Sequence, residues 1–495
     1  MTMTMSQTSI RSVLSAAVVL ALAGCAVGPD YHRPDVPVAQ HYTEAATEAR
    51  LLAEGRVAPA GLPQSWWALY RSPALDELVR AGLANNPSVA SAQAALRVAI
   101  ENRRAQQAAF LPAVGVAYSA ARQKIATPIA SPLASNADLF NLHTAQVDVS
   151  YMPDLFGLNR RQVESLEAQE GSQRWNGEAT YLTLSSNLVV AAITEAGLRA
   201  QVDTTRRSIE LQSDMLQRFR KLQALGQNST LDVAQQEAQL ASLEASLPPL
   251  EKQLALQRDQ LKALSGVLPD APLAEFRLDQ LTLPEPLPLT LPSTLVEHRP
   301  DVLAAEAQLR SASADIGVAV ANRLPEVTLG VNSWGSSASS LARLFAPGTA
   351  FWTLAGSVGQ TLLDGGALKH REAAARAAHD QAAAQYRSTV INAFQNLADA
   401  LQAIDSDAAT LAASQRAQDA AERTLAITRR QLELGDASAL AVLSAEQSVQ
   451  QATLVTVQAR ASRLADAAAL FQALGGGWWN RPADATQSSG RVSAD

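Results

Sequence analysis

Few residues of this chain have the types and spacing that chemistry requires. The six histidines, His32, His41, His143, His298, His370 and His379, show no metal-ligand spacing. His370 and His379 share one expected helix but lie nine positions apart, and solvated helix positions account for both. No phosphate-cradling loop is present, since Gly365-Gly366 lacks the flanking pattern, and no Gly-X-Ser-X-Gly turn offers a nucleophile. Neither catalysis nor a bound cofactor is expected. One reactive group remains, the thiol of Cys25. It is the only cysteine, which rules out an internal disulfide framework, and it directly follows an apolar run over residues 13–23 with Arg11 ahead of it.

That run is too short to stay in a bilayer as a spanning helix of about 20 residues. It reads as a cleaved leader over residues 1–24. Leu22-Ala23-Gly24-Cys25 resembles the bacterial lipoprotein signal, in which the cysteine is acylated and becomes the first mature residue. Cys25 is then the lipid attachment site, and that lipid is the one non-protein group expected. Position 26 is Ala26, not the aspartate that tends to hold such proteins at the inner membrane, so the outer membrane is the expected address.

With 495 residues, 47% hydrophobic and 18% charged, the chain can bury a large core and is not disordered by composition. A net charge of −7 argues against nucleic acid as a partner, because phosphate binding needs a basic surface. Only 5% of the residues are aromatic, which suits long Ala/Leu/Gln helices better than an all-β protein.

The elements come in two copies. Residues 87–114 align without a gap onto 300–327, with ten identities in 28 positions, among them Pro87/Pro300, Leu96/Leu309, Arg97/Arg310 and Leu111-Pro112/Leu324-Pro325. Leu225-Gly226 with Leu231, Val233 and Glu237 returns as Leu434-Gly435 with Leu440, Val442 and Glu446. A duplicated unit of about 210 residues is too long for a solenoid repeat. Within the second copy, residues 367–434 contain no glycine or proline and are rich in strong helix formers. At about 1.5 Å per residue an unbroken helix of that length is about 100 Å long, more than any compact domain spans. After Gly435 the pattern resumes over 438–474 and stops at Gly475-Gly476-Gly477, giving an antiparallel hairpin with unequal arms. The first copy has its counterpart over 158–225 and 230–265, where Pro248-Pro249 is expected to bend or divide the second arm.

Between these helices lie alternating stretches. In residues 143–151, Ala145, Val147, Val149 and Tyr151 alternate with Thr144, Gln146, Asp148 and Ser150. The stretches near 111–122, 325–334 and 351–361 repeat that two-residue period. Each is about as long as a tilted strand that crosses a bilayer, and alternation alone fits a water-soluble sandwich equally well. The count argues for the membrane. Four strands cannot close on a pore, so chains must combine: two would give eight strands filled by their own side chains, three would give twelve around an open lumen.

Together these residues resemble the outer-membrane efflux family, the TolC-like channel-tunnels, in its lipoprotein branch that serves resistance-nodulation-division pumps. The marks are Cys25-Ala26-Val27-Gly28-Pro29-Asp30-Tyr31 with Arg33-Pro34; Trp66-Trp67; Asn85-Asn86-Pro87; Asp154-Leu155-Phe156-Gly157 with Arg160; Asp364-Gly365-Gly366; and Ala473-Leu474-Gly475-Gly476-Gly477-Trp478. The resemblance implies an α+β membrane channel-tunnel: a homotrimer whose strands form a twelve-stranded outer-membrane β-barrel and whose long helical hairpins form a periplasmic α-barrel. It implies a first repeat over 25–265, an equatorial linker over 266–292, a second repeat over 293–474 with helices 366–434 and 438–474, and a tail over 475–495. The implied function is a passive duct for drugs or other toxic small molecules, docked to a periplasmic membrane-fusion adaptor and an inner-membrane efflux transporter, and set in outer-membrane lipid. The same tunnel in type I protein secretion, or a periplasmic coiled-coil lipoprotein without a pore, are the competing readings.

In that family the periplasmic end is closed near the hairpin tips, often by rings of aspartate and of leucine. Here Leu440 fits the hydrophobic ring, while Ser444 stands where an aspartate is usual. The resemblance therefore makes Leu440, Asp232, Asp436 and Ser444 the gate candidates, with Asp232 or Asp436 supplying any cation preference. Both acids also suit helix N-cap or first-turn chemistry.

Overall fold

The computed structural model describes residues 26–34, 41, 43, 45–129, 131, 133, 135–289 and 297–480. The expected leader and Cys25 lie outside the described residues, as do 290–296 and 481–495. In chain order the elements are α1 (Ala45–Ala53), β1 (Val57–Pro59), α2 (Pro73–Asn85), α3 (Pro87–Gln107), β2 (Ala113–Lys124), β3 (Leu139–Tyr151) and α4 (Leu158–Ala224). They continue as α5 (Thr230–Leu264), β4 (Leu287–Leu289), α6 (Pro300–Ala321), β5 (Glu326–Ala338), β6 (Ala350–Gly359), α7 (Ala367–Leu434) and α8 (Ala439–Ala473). The chain divides into two units, one of Met1–Asp35, Ala95–Gln173 and Ala305–Tyr386, the other of Val36–Ala94, Arg174–Ala304 and Arg387–Asp495.

The first unit holds a four-stranded antiparallel sheet in the order β2-β3-β5-β6, so β2 and β6 are both free edges. Val114 faces Val149 and Val116 faces Val147, which in turn faces Trp334, itself opposite Trp352. One face is therefore a continuous apolar row, and it is exposed: Val116 is 83% accessible, and Trp334, Trp352, Leu354 and Val358 are comparably open. A sandwich would bury this face, and the sandwich alternative falls here. The other face carries Gly115, Ala117 and Ser119 of β2 beside Thr144, Gln146, Asp148 and Ser150 of β3. A single bulge in β5, one extra residue within 331–334 that shifts its register against both β3 and β6, increases the local twist.

The two duplicated acid-glycine motifs start the two long helices in the same way. Asp154 accepts the backbone N–H groups of Asn159 (3.1 Å) and Arg160 (3.0 Å), and Asp364 accepts those of Gly366 (2.8 Å) and Leu368 (2.7 Å). Those donors hold the Asp364 carboxyl below the usual carboxylate range. The segment after residue 25 is clamped onto this unit. Val27 N–H donates to Phe156 O (3.1 Å), and the buried Arg161 donates to Val27 O (3.0 Å), Gly28 O (3.3 Å) and Asp30 (2.9 Å). Gly28 crosses Gly317 so closely that a Cβ on it would stand 2.5 Å from the Gly317 Cα. Tyr31 donates to Glu306 (3.3 Å), which also takes Arg33 (3.0 Å). Burial and that carboxylate push the Tyr31 phenol well up.

The second unit contains residues 174–224 of α4, all of α5, residues 387–434 of α7, all of α8, and a hydrophobic core. Trp66, Tyr70, Leu188, Ile193, Leu397, Leu401 and Phe471 are buried together. Trp66 and Tyr70 pack on the Phe471 ring, and the Tyr70 hydroxyl donates to Leu464 O at 2.7 Å. β1 pairs with β4 in parallel beside this core. Glu195, fully buried, accepts from Arg258 (3.0 Å) and from the backbone N–H of Phe276 (3.0 Å), and also pairs with Arg199, which ties the Pro-rich linker to α4. The expected break at Pro248-Pro249 does not divide α5, which is one helix through both prolines. The carbonyls that lose their donors belong to Glu244 and Ala245, both exposed and so open to solvent.

Candidate functional site

The two hairpin tips are built from the same parts, 209 positions apart. Gly226 and Gly435 reverse the chain at φ 74° and 82°, a region open to glycine at no steric cost. Gln227 N–H then donates to Leu222 O (2.9 Å) and Asp436 N–H to Gln431 O (2.8 Å), capping the ends of α4 and α7. Ser229 and Ser438 are the N-caps of α5 and α8. Val233 and Val442 are buried behind the turns. Each hairpin is closed by one ion pair at the same place, Arg220 to Glu237 at 2.7 Å and Arg429 to Glu446 at 2.9 Å. The repeated glutamates are visible in the sequence comparison, and reading the same offset back to Arg220 and Arg429 would have found their partners.

The tips differ at one cap. In the first, Ser229 Oγ accepts from Asp232 N–H (3.1 Å) while Asp232 Oδ2 accepts from both the Ser229 N–H (3.0 Å) and its hydroxyl (2.8 Å), a complete capping box. The Ser229 hydroxyl first, and its amide second, hold the Asp232 carboxyl below the usual range. In the second tip the matching position is Ala441, whose N–H donates to Ser438 Oγ (3.2 Å) with nothing returned. Leu440 lies in the first turn of α8 and is 54% exposed; its counterpart Leu231 is 66% exposed. Asp436 is exposed in the turn itself, and Ser444 is exposed one turn further along α8, its carbonyl accepting from the Ser448 hydroxyl at 2.9 Å. Asp436, Leu440 and Ser444 therefore share one tip and Asp232 occupies the other. Among the described residues no hydrogen bond or ion pair joins any two of the four, and no group of three His, Cys, Asp or Glu side chains could hold a metal ion.

An open-edged four-stranded sheet with a bare apolar face, together with two long helical hairpins ending in matched turns, defines one protomer of an outer-membrane channel-tunnel. The pattern of the outer membrane efflux protein family matches residues 78–267 and again 291–476, so the chain belongs to that family and carries its unit twice. It is 28% identical over 486 residues to the toluene efflux pump outer membrane protein TtgC of Pseudomonas putida, covering 97% of this chain and 98% of that protein. It is 29% identical over 442 residues to the pyoverdine export outer membrane protein OpmQ of Pseudomonas aeruginosa, covering 88% and 91%. Among solved structures it resembles the outer-membrane channel OprN, with a TM-score of 0.84 at 27% identity over 92% of this chain and all of that one. It likewise resembles VceC of Vibrio cholerae, with a TM-score of 0.77 at 27% identity over 85% of this chain and all of that one. The protein is an outer-membrane efflux channel and not an enzyme.

Proposed function

We propose that three copies of this chain close into the outer-membrane duct of a tripartite pump, receiving small toxic compounds from a periplasmic adaptor and an inner-membrane transporter. The observation that carries this reading is the sheet with two free edges. Because the strand count is even and every pair antiparallel, β6 of one copy meets β2 of the next antiparallel as well. A head-to-tail contact of this kind closes into a ring, and twelve strands leave a lumen that eight would fill. The bare apolar face then turns to lipid and the small, polar face to the solute path. Relatives named for toluene efflux and pyoverdine export support the export of small organic solutes.

Within this reading residues 1–24 are removed, Cys25 carries the lipid, and the repeats are 25–265 and 293–474 about the linker 266–292, with 475–495 as the tail. The clamp on residues 27–30 supports the anchor, since Val27 binds Phe156 just after β3 ends and so holds the acylated end at the periplasmic rim of the barrel. Leu440 forms the tightest closed ring at the tips. Asp436 and Ser444 line the approach to it, and Asp232, engaged in its capping box, is the weaker source of cation preference.

Purified protein tests both levels. It should run as a heat-modifiable trimer and conduct ions in planar bilayers, and a non-conducting monomer would refute the duct. Leu440→Ser should raise single-channel conductance, and an unchanged conductance would remove Leu440 from the gate.

A further inference from the structure

The loop end of the sheet has a chemistry distinct from the apolar band below it. The outward row of β2 runs through Val114, Val116 and Tyr118, all exposed, and continues past Ala120 to Arg122 and Lys124, opposite Asn141 and Leu139 of β3. From Val114 to Arg122 is eight residues, about 26 Å at about 3.3 Å per residue. At a strand tilt of about 40° that rises about 20 Å, which puts Arg122 near the upper edge of an apolar band about 25 Å tall and Lys124 at that edge. The two cations thus stand where the lipid-facing band ends, on the side away from the helices. A third, Arg343, is exposed in the turn between β5 and β6.

Charge and shape at this end point to one kind of partner. Arg122, Lys124 and Arg343 have no carboxylate partner among the described residues. The loops 125–138 and 339–349 contain a single acid, Asp138, although the whole chain carries a net charge of −7. Below the cations the same outward face bears the exposed Trp334–Trp352 cross-strand pair, and the Arg343 turn adds exposed Phe345. Basic side chains above an aromatic shoulder on a lipid-facing wall complement a lipid whose headgroup carries phosphate. Guanidinium groups grip phosphate oxygens with two donors and lysine adds a point charge.

We propose that this rim binds the phosphorylated glycolipid of the outer leaflet, with Arg122, Lys124 and Arg343 as its phosphate contacts and Trp334, Trp352 and Phe345 packed at its acyl boundary. The proposal rests on the barrel reading above, which turns this row to lipid rather than to the lumen. Bound lipid holds the trimer at a fixed height in the membrane and seals its loops against the leaflet.

The test uses the purified trimer in phosphatidylcholine nanodiscs titrated with bisphosphorylated lipid A, with lipid bound per trimer read by mass spectrometry. Each basic side chain at an anionic surface contributes about a fivefold preference, so the combined Arg122→Gln, Lys124→Gln and Arg343→Gln variant should bind lipid A about a hundredfold more weakly. Lipid A stripped of its phosphates should bind wild type and variant alike, and Arg122→Lys with Arg343→Lys should retain most of the affinity. Equal binding of phosphorylated lipid A by wild type and triple variant would overturn the proposal. So would an equal loss with the dephosphorylated lipid, which would reduce the rim to apolar packing. Single-channel conductance of the same preparations separates the two levels: a wild type that does not conduct strikes the barrel itself, whereas conducting proteins with equal lipid binding strike only the rim.

Discussion

Asp407 occupies a place that packing reserves for small apolar side chains, and replacing it with asparagine should change how the second hairpin responds to pH. Along α7, Ala393, Ala400 and Ser414 are buried at seven-residue intervals, and Asp407 falls in the same row. One of its oxygens is sealed from solvent without a partner, and its carboxyl is hydrogen-bonded to Asp466 of α8. Two carboxyl groups in contact must share a proton. Arg463, the cation that opposes the rise at Asp407, is itself committed to Glu285, while Asp405, two residues away, is taken by Arg50 and Arg56, and the Tyr70 phenol lies on the Asp466 side. Burial first, and Asp466 second, raise the Asp407 carboxyl to about 7. A raised acid binds its proton more tightly in the folded hairpin than in the unfolded one. Its contribution is therefore neutral below about pH 4 and increasingly unfavourable as pH rises toward 7, with the full cost present above that. The unscreened cost is about 4 kcal/mol, and solvent around the half-buried pair reduces it to about 1–2 kcal/mol. Hydrogen exchange of the α7 and α8 amides around Asp407 and Asp466, corrected for intrinsic rates, should lose about tenfold in protection between pH 5 and pH 8. In Asp407→Asn the carboxamide donates to Asp466 without needing a proton, and protection should stay level. The reasoning is refuted if wild type is level too, or if the variant falls as steeply.

Two further perturbations probe the anchoring of the chain. Arg161→Ala removes every side-chain bond to Val27, Gly28 and Asp30 and should cost about 1–3 kcal/mol locally. Limited proteolysis should then clip residues 26–34 in the variant under conditions that spare wild type, and equal resistance would show that the clamp is incidental. Glu195→Gln removes the buried carboxylate that Arg199 and Arg258 share, while Arg199 keeps Glu275 and Arg258 keeps Leu273 O, an expected loss of about 1.5–3 kcal/mol. Denaturant midpoints measure that loss, and a shift under about 0.5 kcal/mol would mean that water already serves the two guanidinium groups.

The sequence exposes whatever has a period and hides what has none. The alternation of Ala145, Val147, Val149 and Tyr151 marks β3, but the strand begins at Leu139, where Leu139-Phe140-Asn141-Leu142 is apolar on both faces and alternation fails. β2 runs to Lys124, past the last apolar residue of its row, because the ladder with β3 continues through charged side chains. Pro248-Pro249 reads as a break, yet an exposed stretch can tolerate two missing donors when Arg206 of α4 pairs with Glu251 just beyond them. Residues 26–34 form no regular element, and their partners, Arg161, Glu306, Arg310 and Tyr386, are far away in the chain, so no local pattern announces the clamp. Asp407 was legible in principle, as a lone carboxylate in a seven-residue row of small side chains.

The tips show where duplication and function part. Copying preserved the glycine turn, the serine cap, the buried valine and the closing Arg–Glu pair in both hairpins. These set the hairpin geometry, and changing any of them in one copy would distort a wall that both copies must share. The capping box is not constrained in this way, because it fixes only how tightly the first turn of the returning helix is held. In the first tip Asp232 returns the bond that Ser229 gives, and the turn is pinned from both sides. In the second, Ala441 returns none, so the first turn of α8 rests on Ser438 alone. Leu440 sits in that turn. The exposed leucine assigned to the closed ring is thus carried on the less firmly capped of two otherwise matched helices, which is where a small change in load from a docked partner would move a side chain first.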